Sequence, residues 1–133
     1  MLWETLRVPQ KDLPVRPISM GSQTVIVEVA SAPKEIARGL MYRESIHSDQ
    51  GMLFVFEQVK SQCFWMKNTS IPLTAAFITE GGVIQHLADM EPKSLQLHCS
   101  PGDVKAVVEM SQGWFRDAGV LVGSRVVMPA DFR

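Results

Sequence analysis

Gly51-Met52-Leu53-Phe54-Val55-Phe56, a short polar break, and then Gln62-Cys63-Phe64-Trp65-Met66-Lys67-Asn68-Thr69-Ser70-Ile71-Pro72 form the stretch on which the fold turns. Met52–Phe56 is apolar at every position. A run this short is a strand length, and a strand apolar on both faces belongs in the middle of a core. If Gln62–Asn68 is a second strand, Cys63, Trp65 and Lys67 share one face, and Phe64, Met66 and Asn68 share the other. That run passes from packed interior to a polar end. Asn and Thr commonly bond their own backbone in turns, so Asn68-Thr69 closing a turn before Pro72 is the simpler reading. Trp65 beside Lys67 and Asn68 also suits a ligand-contacting surface, with stacking plus hydrogen bonds.

Working outward, Val25, Val27 and Val29 alternate with Thr24, Ile26 and Glu28, which predicts a strand from Gln23. The period then changes. Ser31 is placed to cap a helix with Pro33 in its first turn and Glu35 near the positive end of its dipole. Ile36, Ala37, Leu40 and Met41 form its apolar stripe, and Gly39 marks a helix stop or a close backbone contact. Before this, residues 1–22 read as an extended arm, because Pro9, Pro14 and Pro17 disfavour helix. Residues 23–133 read as a single β-rich domain.

Downstream, strands are predicted over Ala75–Thr79 and Val83–Asp89, joined through Glu80-Gly81-Gly82 in a primed hairpin turn. Ser100-Pro101-Gly102-Asp103 reads as a type II turn. Val104–Met110 alternates, with Val104, Ala106, Val108 and Met110 on one face. Ser111 is expected to cap a second short helix carrying Trp114 and Phe115 and stopped by Gly119. A last strand covers Ser124–Met128. Short strands, hairpin turns and two brief helices predict a mainly β domain: an antiparallel β-sandwich or jelly-roll-like fold, or a partly open barrel.

The chain has 133 residues, 46% of them hydrophobic and 20% charged, with a net charge of −1, the balance of an ordinary globular domain. It carries no basic run, which argues against nucleic acid or an anionic membrane as partner. No apolar segment reaches the ~18 residues of a membrane span. Leu2, Trp3 and Leu6 are interrupted by Glu4, Thr5 and Arg7, so no secretory leader is visible. The chain is then either cytoplasmic or begins after a removed leader.

Cys63 and Cys99 are the two cysteines, without CxxC or CxxH spacing, which argues against structural zinc. The residues alone leave open a disulfide or two separate buried thiols. His98 is a poor partner for a nucleophilic Cys99, because neighbours in an extended segment point to opposite sides. His86 and Asp89 fall on opposite faces of their predicted strand, so a metal site built from His86, Asp89 and His98 is disfavoured. No metal or cofactor is expected. Asp89, Glu91 and Glu109 would do acid–base chemistry only if two of them met in a cleft with separated pKa values.

Several motifs occur together in one order: Gly39-Leu40-Met41-Tyr42-Arg43, Gly51–Phe56, Phe64-Trp65-Met66-Lys67-Asn68-Thr69, Ile71-Pro72-Leu73, Ala88-Asp89-Met90, Val108-Glu109-Met110 and Gly113-Trp114-Phe115. In this the chain resembles the bacterial and archaeal family called domain of unknown function 192, over about Val25 to Val126. The resemblance implies a compact, mainly β fold of sandwich or jelly-roll type. Many members in Gram-negative bacteria carry a leader, with cysteines at the places of Cys63 and Cys99, which implies a disulfide between them and a periplasmic or secreted protein. The family carries no established reaction, so no catalytic residue transfers. The expected function is a non-enzymatic binding or accessory module of the cell envelope, for a small-molecule or protein partner. Arg43, Trp65, Lys67, Asn68 and Asp89 are its candidate contacts. The alternative is a hydrolase or lyase with Asp89 or Glu109 as acid–base residue and Lys67 or Arg43 stabilising negative charge. A third reading is a scaffold whose apolar patch is covered by the proline-containing arm.

Overall fold

The computed structural model describes residues 7–133; the first six residues of the arm, and with them the leader reading at Leu2, Trp3 and Leu6, lie outside the described residues. The alternating valines form β2 (Gln23–Ala30), and the all-apolar run lies within the long strand β3 (Gln50–Lys60). β1 (Val15–Met20), β5 (Leu73–Ile78), β6 (Ile84–Met90), β8 (Val104–Ser111) and β9 (Val126–Val127) complete a seven-stranded sheet in the order β6-β5-β8-β3-β2-β1-β9. Two further short strands, β4 (Cys63–Phe64) and β7 (His98–Cys99), form a separate ribbon. The fold is mainly β, as expected, with the sheet curled into a half-barrel.

The sheet is mixed. β2 and β3 run parallel, with Val29 beside Leu53, and the crossover between them carries α1 (Pro33–Arg38). Parallel neighbours need such a crossover, whereas the other pairs are antiparallel. The edge strands approach each other at one end. Val83 bridges Arg125, the Ile84 N–H donates to the Ser124 carbonyl at 3.0 Å, and the Val126 N–H to Gly82 at 2.8 Å.

Val15–Met20 lies inside the sheet order, between β2 and β9. The Val29 N–H donates to the Pro14 carbonyl. Alternation from there turns the missing donor of Pro17 away from β2, beyond the reach of the two-residue β9.

Several local expectations are corrected. Ser31 is not the cap of α1: Ala32 occupies that position, and Glu35 folds back to accept the N–H groups of Ser31 and Ala32, both at 3.0 Å. Gly39 ends α1 at φ 50°, and a Cβ there would meet the Phe54 ring at 3.4 Å, so both readings of this glycine hold. Strand structure in Gln62–Asn68 is confined to Cys63–Phe64. The β5–β6 turn has positive φ only at Gly82, whose N–H donates to the Thr79 carbonyl; it is therefore not primed. Gly102 lacks the positive φ a type II turn needs. That bend is held instead by the Ser100 hydroxyl donating to the Gly102 carbonyl and by Gln85 accepting from the Gly102 N–H. Ser111 ends β8, and Gly113 precedes α2 (Trp114–Ala118), which Gly119 stops as expected.

Two cores result. One gathers residues from every strand of the sheet, including Ile18, Val27, Leu53, Ile78, Ile84, Val108 and Val126, on one of its faces. Phe115 of α2 joins it. The other lies on the opposite face of β3, β5, β6 and β8, where Met52, Phe54, Phe77, Met90 and Val107 pack with Leu40 and Met66. Val104 belongs to this second core rather than with Ala106, Val108 and Met110, at the place where the β3–β8 register shifts.

Candidate functional site

The second core is incompletely filled. A cavity of about 150 Å³ lies between the sheet, α1 with the turn that follows it, and the disulfide ribbon. The sheet supplies Phe54 and Phe56 from β3 and Glu109 from β8, and the helix side supplies Arg38 and Leu40. Cys63 to Met66 form the remaining wall. The ribbon is positioned by the Cys63–Cys99 disulfide between directly paired residues. Further ties are the Ser100 N–H to the Gln62 carbonyl at 2.8 Å and the Met66 N–H to the Ser94 carbonyl at 3.0 Å. Phe64 points inward, its ring meeting Phe54 edge-on at 4.9 Å and approaching Phe56 and Phe77.

Glu109 is the unusual group. Its cross-strand neighbours are Met52 on β3 and Ala75 on β5, both fully buried. Strand alternation puts it on the face of Val107, toward the cavity. It is 4% exposed and forms no hydrogen bond or ion pair with any described residue. Burial among apolar groups penalises the carboxylate and pushes its pKa up to about 8, so the acid is mainly protonated at neutral pH. Arg38 is the other charged side chain on the lining. Its guanidinium donates to the Val8 carbonyl and lies 5.4 Å from the Tyr42 ring centroid. The arm is further fixed by Gln10, whose amide donates to the carbonyls of Glu35 and Gly39.

Trp65 stands at this cavity, 43% exposed, with the Lys67 ammonium 5.4 Å from its ring centroid. Asn68 follows in a turn closed by the Thr69 N–H on the Met66 carbonyl, where it adopts φ 56° and offers its carbonyl to the Tyr42 N–H. Arg43 lies elsewhere, with Glu28 and His47. Its guanidinium grips the Glu28 carboxylate in a two-pronged ion pair and donates to the Gln10 carbonyl at 3.0 Å. Asp89 accepts from the Thr74 hydroxyl at 2.6 Å and lines a depression with Leu87, Phe115 and Arg116, on the sheet face opposite Glu109. Trp65 and Lys67 are thus brought together, while Arg43 and Asp89 stand apart. The two acid–base candidates, Asp89 and Glu109, cannot act as a pair across the sheet. Sequence reasoning missed Arg38 and the aromatic wall. The available signal was Glu109 sharing a strand face with Val107 in an otherwise apolar stretch.

Among the described residues, no three His, Cys, Asp or Glu side chains gather as a metal site would require. Nor is any helix among them long and apolar enough to cross a membrane.

Two solved structures share this architecture. A protein from Sinorhizobium meliloti 1021, described provisionally as a transcription regulator, is 30% identical with a TM-score of 0.86, covering 89% of this chain and 96% of its own. A protein of unknown function from Novosphingobium aromaticivorans DSM 12444 is 27% identical with a TM-score of 0.83, covering 87% and 86%. No curated protein matches the chain. The family described as "Uncharacterized ACR", domain of unknown function 192, matches residues 16–128, and the chain belongs to it.

Proposed function

We propose that this protein is a small-molecule-binding module of the cell envelope, its ligand seated in the cavity between α1, the sheet and the disulfide ribbon. The observation that carries this reading is Glu109, a buried acid without a partner among the described residues, lining a cavity beside aromatic side chains. A carboxyl that no described residue bonds, facing a cavity that joins aromatic walls to the polar side chains of Arg38, Gln62 and Thr69, has the usual form of a ligand site. Trp65 and Lys67 would form its outer lip. Asn68 would shape the turn behind them, and Arg43 and Asp89 would contribute only through surfaces away from the cavity. The envelope assignment is supported by the Cys63–Cys99 bridge, since disulfides persist in oxidising compartments.

A fluorinated-fragment screen by ¹⁹F NMR tests the site, with a Leu40→Trp variant whose indole fills the cavity as control. Hits lost in the variant support the reading; hits that persist in a folded variant, or none at all, refute it. The compartment is tested by alkylating thiols in acid-quenched cells, where Cys63 and Cys99 should react only after reduction. Alkylation without reduction would overturn the envelope assignment.

The raised pKa of Glu109 favours one second reading: a hydrolase or lyase with this residue as general acid. Conversion of a bound fragment to a new ¹⁹F species, lost in Glu109→Gln, would distinguish it from simple binding.

A further inference from the structure

We infer that the cavity takes an uncharged, ring-sized molecule carrying a hydrogen-bond acceptor of the carbonyl type, which accepts a hydrogen bond from the Glu109 carboxylic acid. This rests on the cavity being a ligand site at all, the reading proposed above.

Size comes first. A cavity of about 150 Å³ is the volume that accommodates a benzene-sized molecule, and it excludes nucleotides, peptides and sugar chains as fully enclosed occupants. Shape and polarity follow from the walls. Phe54, Phe56, Phe64 and Met66 present carbon and sulfur, while Arg38, Gln62, Thr69 and Glu109 bring polar side chains to the lining, so the occupant combines an apolar ring with a polar group.

The sign of the occupant's charge follows from what surrounds Glu109. Its strand neighbours Met52 and Ala75 offer no side-chain donor, and no described residue donates a hydrogen bond to its carboxyl. No hydrogen bond from a described residue holds Glu109 as a carboxylate, whereas a neutral acid has an O–H that donates to an acceptor. Among the groups lining the cavity, the other titratable side chain is Arg38 on α1, and the sheet and ribbon supply none besides Glu109. A cationic ligand would have to ionise Glu109 in apolar surroundings and enter beside the positive charge of Arg38. An anionic ligand would lose its hydration against the aromatic walls, where the Arg38 guanidinium is already engaged by the Val8 carbonyl and the Tyr42 ring. A neutral acceptor meets neither obstacle and gives the Glu109 O–H, which faces the cavity, an acceptor there. Glu109 is thus the specificity-determining group, and the aromatic wall sets the size limit.

The class is tested with three small probes on the full, oxidised chain, followed through the methyl resonances of Leu40 and Met66. N-methylpyrrolidone carries an acceptor only, protonated N-methylpyrrolidine is its cationic counterpart, and benzene has neither function. N-methylpyrrolidone should shift these methyls most. Its affinity should fall about tenfold between about pH 6 and about pH 9, because only the protonated acid donates. Glu109→Gln, which keeps an amide donor and cannot titrate, should bind it with no such pH dependence. Tighter binding of the cation than of the lactam, increasing with pH, would keep the site and overturn the neutral-acceptor assignment. Benzene binding as tightly as the lactam would overturn the role of Glu109. Silence of the Leu40 and Met66 methyls toward all three probes would overturn the ligand site itself.

Discussion

Replacing Glu109 by Gln should change how stability depends on pH more than it changes stability itself. The acid is held protonated in the folded protein up to about pH 8, against an ordinary value of 4.5. Because the folded pKa is raised, the native state binds one more proton than the unfolded chain between those values. The associated stability is fully present below about pH 4.5 and is lost as pH rises through about 8. Within that window each pH unit removes about 1.4 kcal/mol from wild type through this one group. Over the whole interval the loss is at most about 5 kcal/mol, an upper limit because water entering the cavity would solvate the carboxylate. That is a large share of the ~5–15 kcal/mol by which a domain is usually stable. Glutamine is nearly isosteric and does not titrate, so the other ionisable groups serve as a common background. Urea unfolding of both proteins across about pH 5 to 9 should give nearly equal midpoints at the acid end and a growing advantage for the variant toward the alkaline end. Parallel curves would show that Glu109 ionises as an exposed carboxylate does, and the buried-acid description would fail.

Three other perturbations probe the frame around the cavity. The Cys63–Cys99 bridge spans a sequence separation of 36, for which chain entropy gives about 4 kcal/mol; reductant should therefore lower the melting temperature of wild type and leave the Cys63→Ala/Cys99→Ala double variant unmoved. A Cβ on Gly51 would lie 2.2 Å from the Glu109 carbonyl oxygen and 2.4 Å from the Met110 sulfur. Gly51→Ala should thus cost about 3 kcal/mol or more by forcing β3 from β8, and an unchanged chemical-denaturation midpoint would contradict this packing. At Asn68, φ is 56°; Asn68→Ala should lose about 1 kcal/mol while Asn68→Gly stays near wild type, and equal losses in the two variants would point to a side-chain role instead.

The parts of the fold legible in the sequence are those written locally. The valines of β2 at every second position, the all-apolar core of β3 and the glycines at Gly39 and Gly119 each act over a few residues. The parallel pairing of β2 with β3 is a long-range fact, although a helix between two strands was its available signature. Gln62–Asn68 misled because alternation of large residues imitates a strand. After Phe64 the backbone finds its partners in a turn, with Asn68 left-handed, rather than in a ladder. Turn types were misread because glycine permits positive φ without requiring it: Gly82 uses it and Gly102 does not. At the site, residue type alone picked out Trp65 and Glu109, and equally Arg43 and Asp89. Type cannot show that the last two meet Glu28 and Thr74, or that the cavity walls come from segments as far apart as Arg38 and Glu109.

That contrast among the acids carries the functional argument. Glu28 grips Arg43, Glu35 accepts two N–H groups at the start of α1, and Asp89 accepts from Thr74, so each has a bond that its removal would leave broken. Glu109 has none with a described residue, yet it occupies a central strand between Met52 and Ala75, where any apolar side chain of similar volume would pack. Desolvation of this carboxyl among apolar neighbours opposes folding, so Glu109→Met should be more stable than wild type at neutral pH, by about 1–3 kcal/mol. The same variant should lose N-methylpyrrolidone binding at the Leu40 and Met66 methyls. Urea midpoints and the titration are to be measured on one preparation, because their combination decides the matter. Greater stability with lost binding means that the carboxyl is present for the ligand and against the packing. A less stable methionine variant would instead assign Glu109 to the architecture of β8, and the cavity would then be a packing defect beside it.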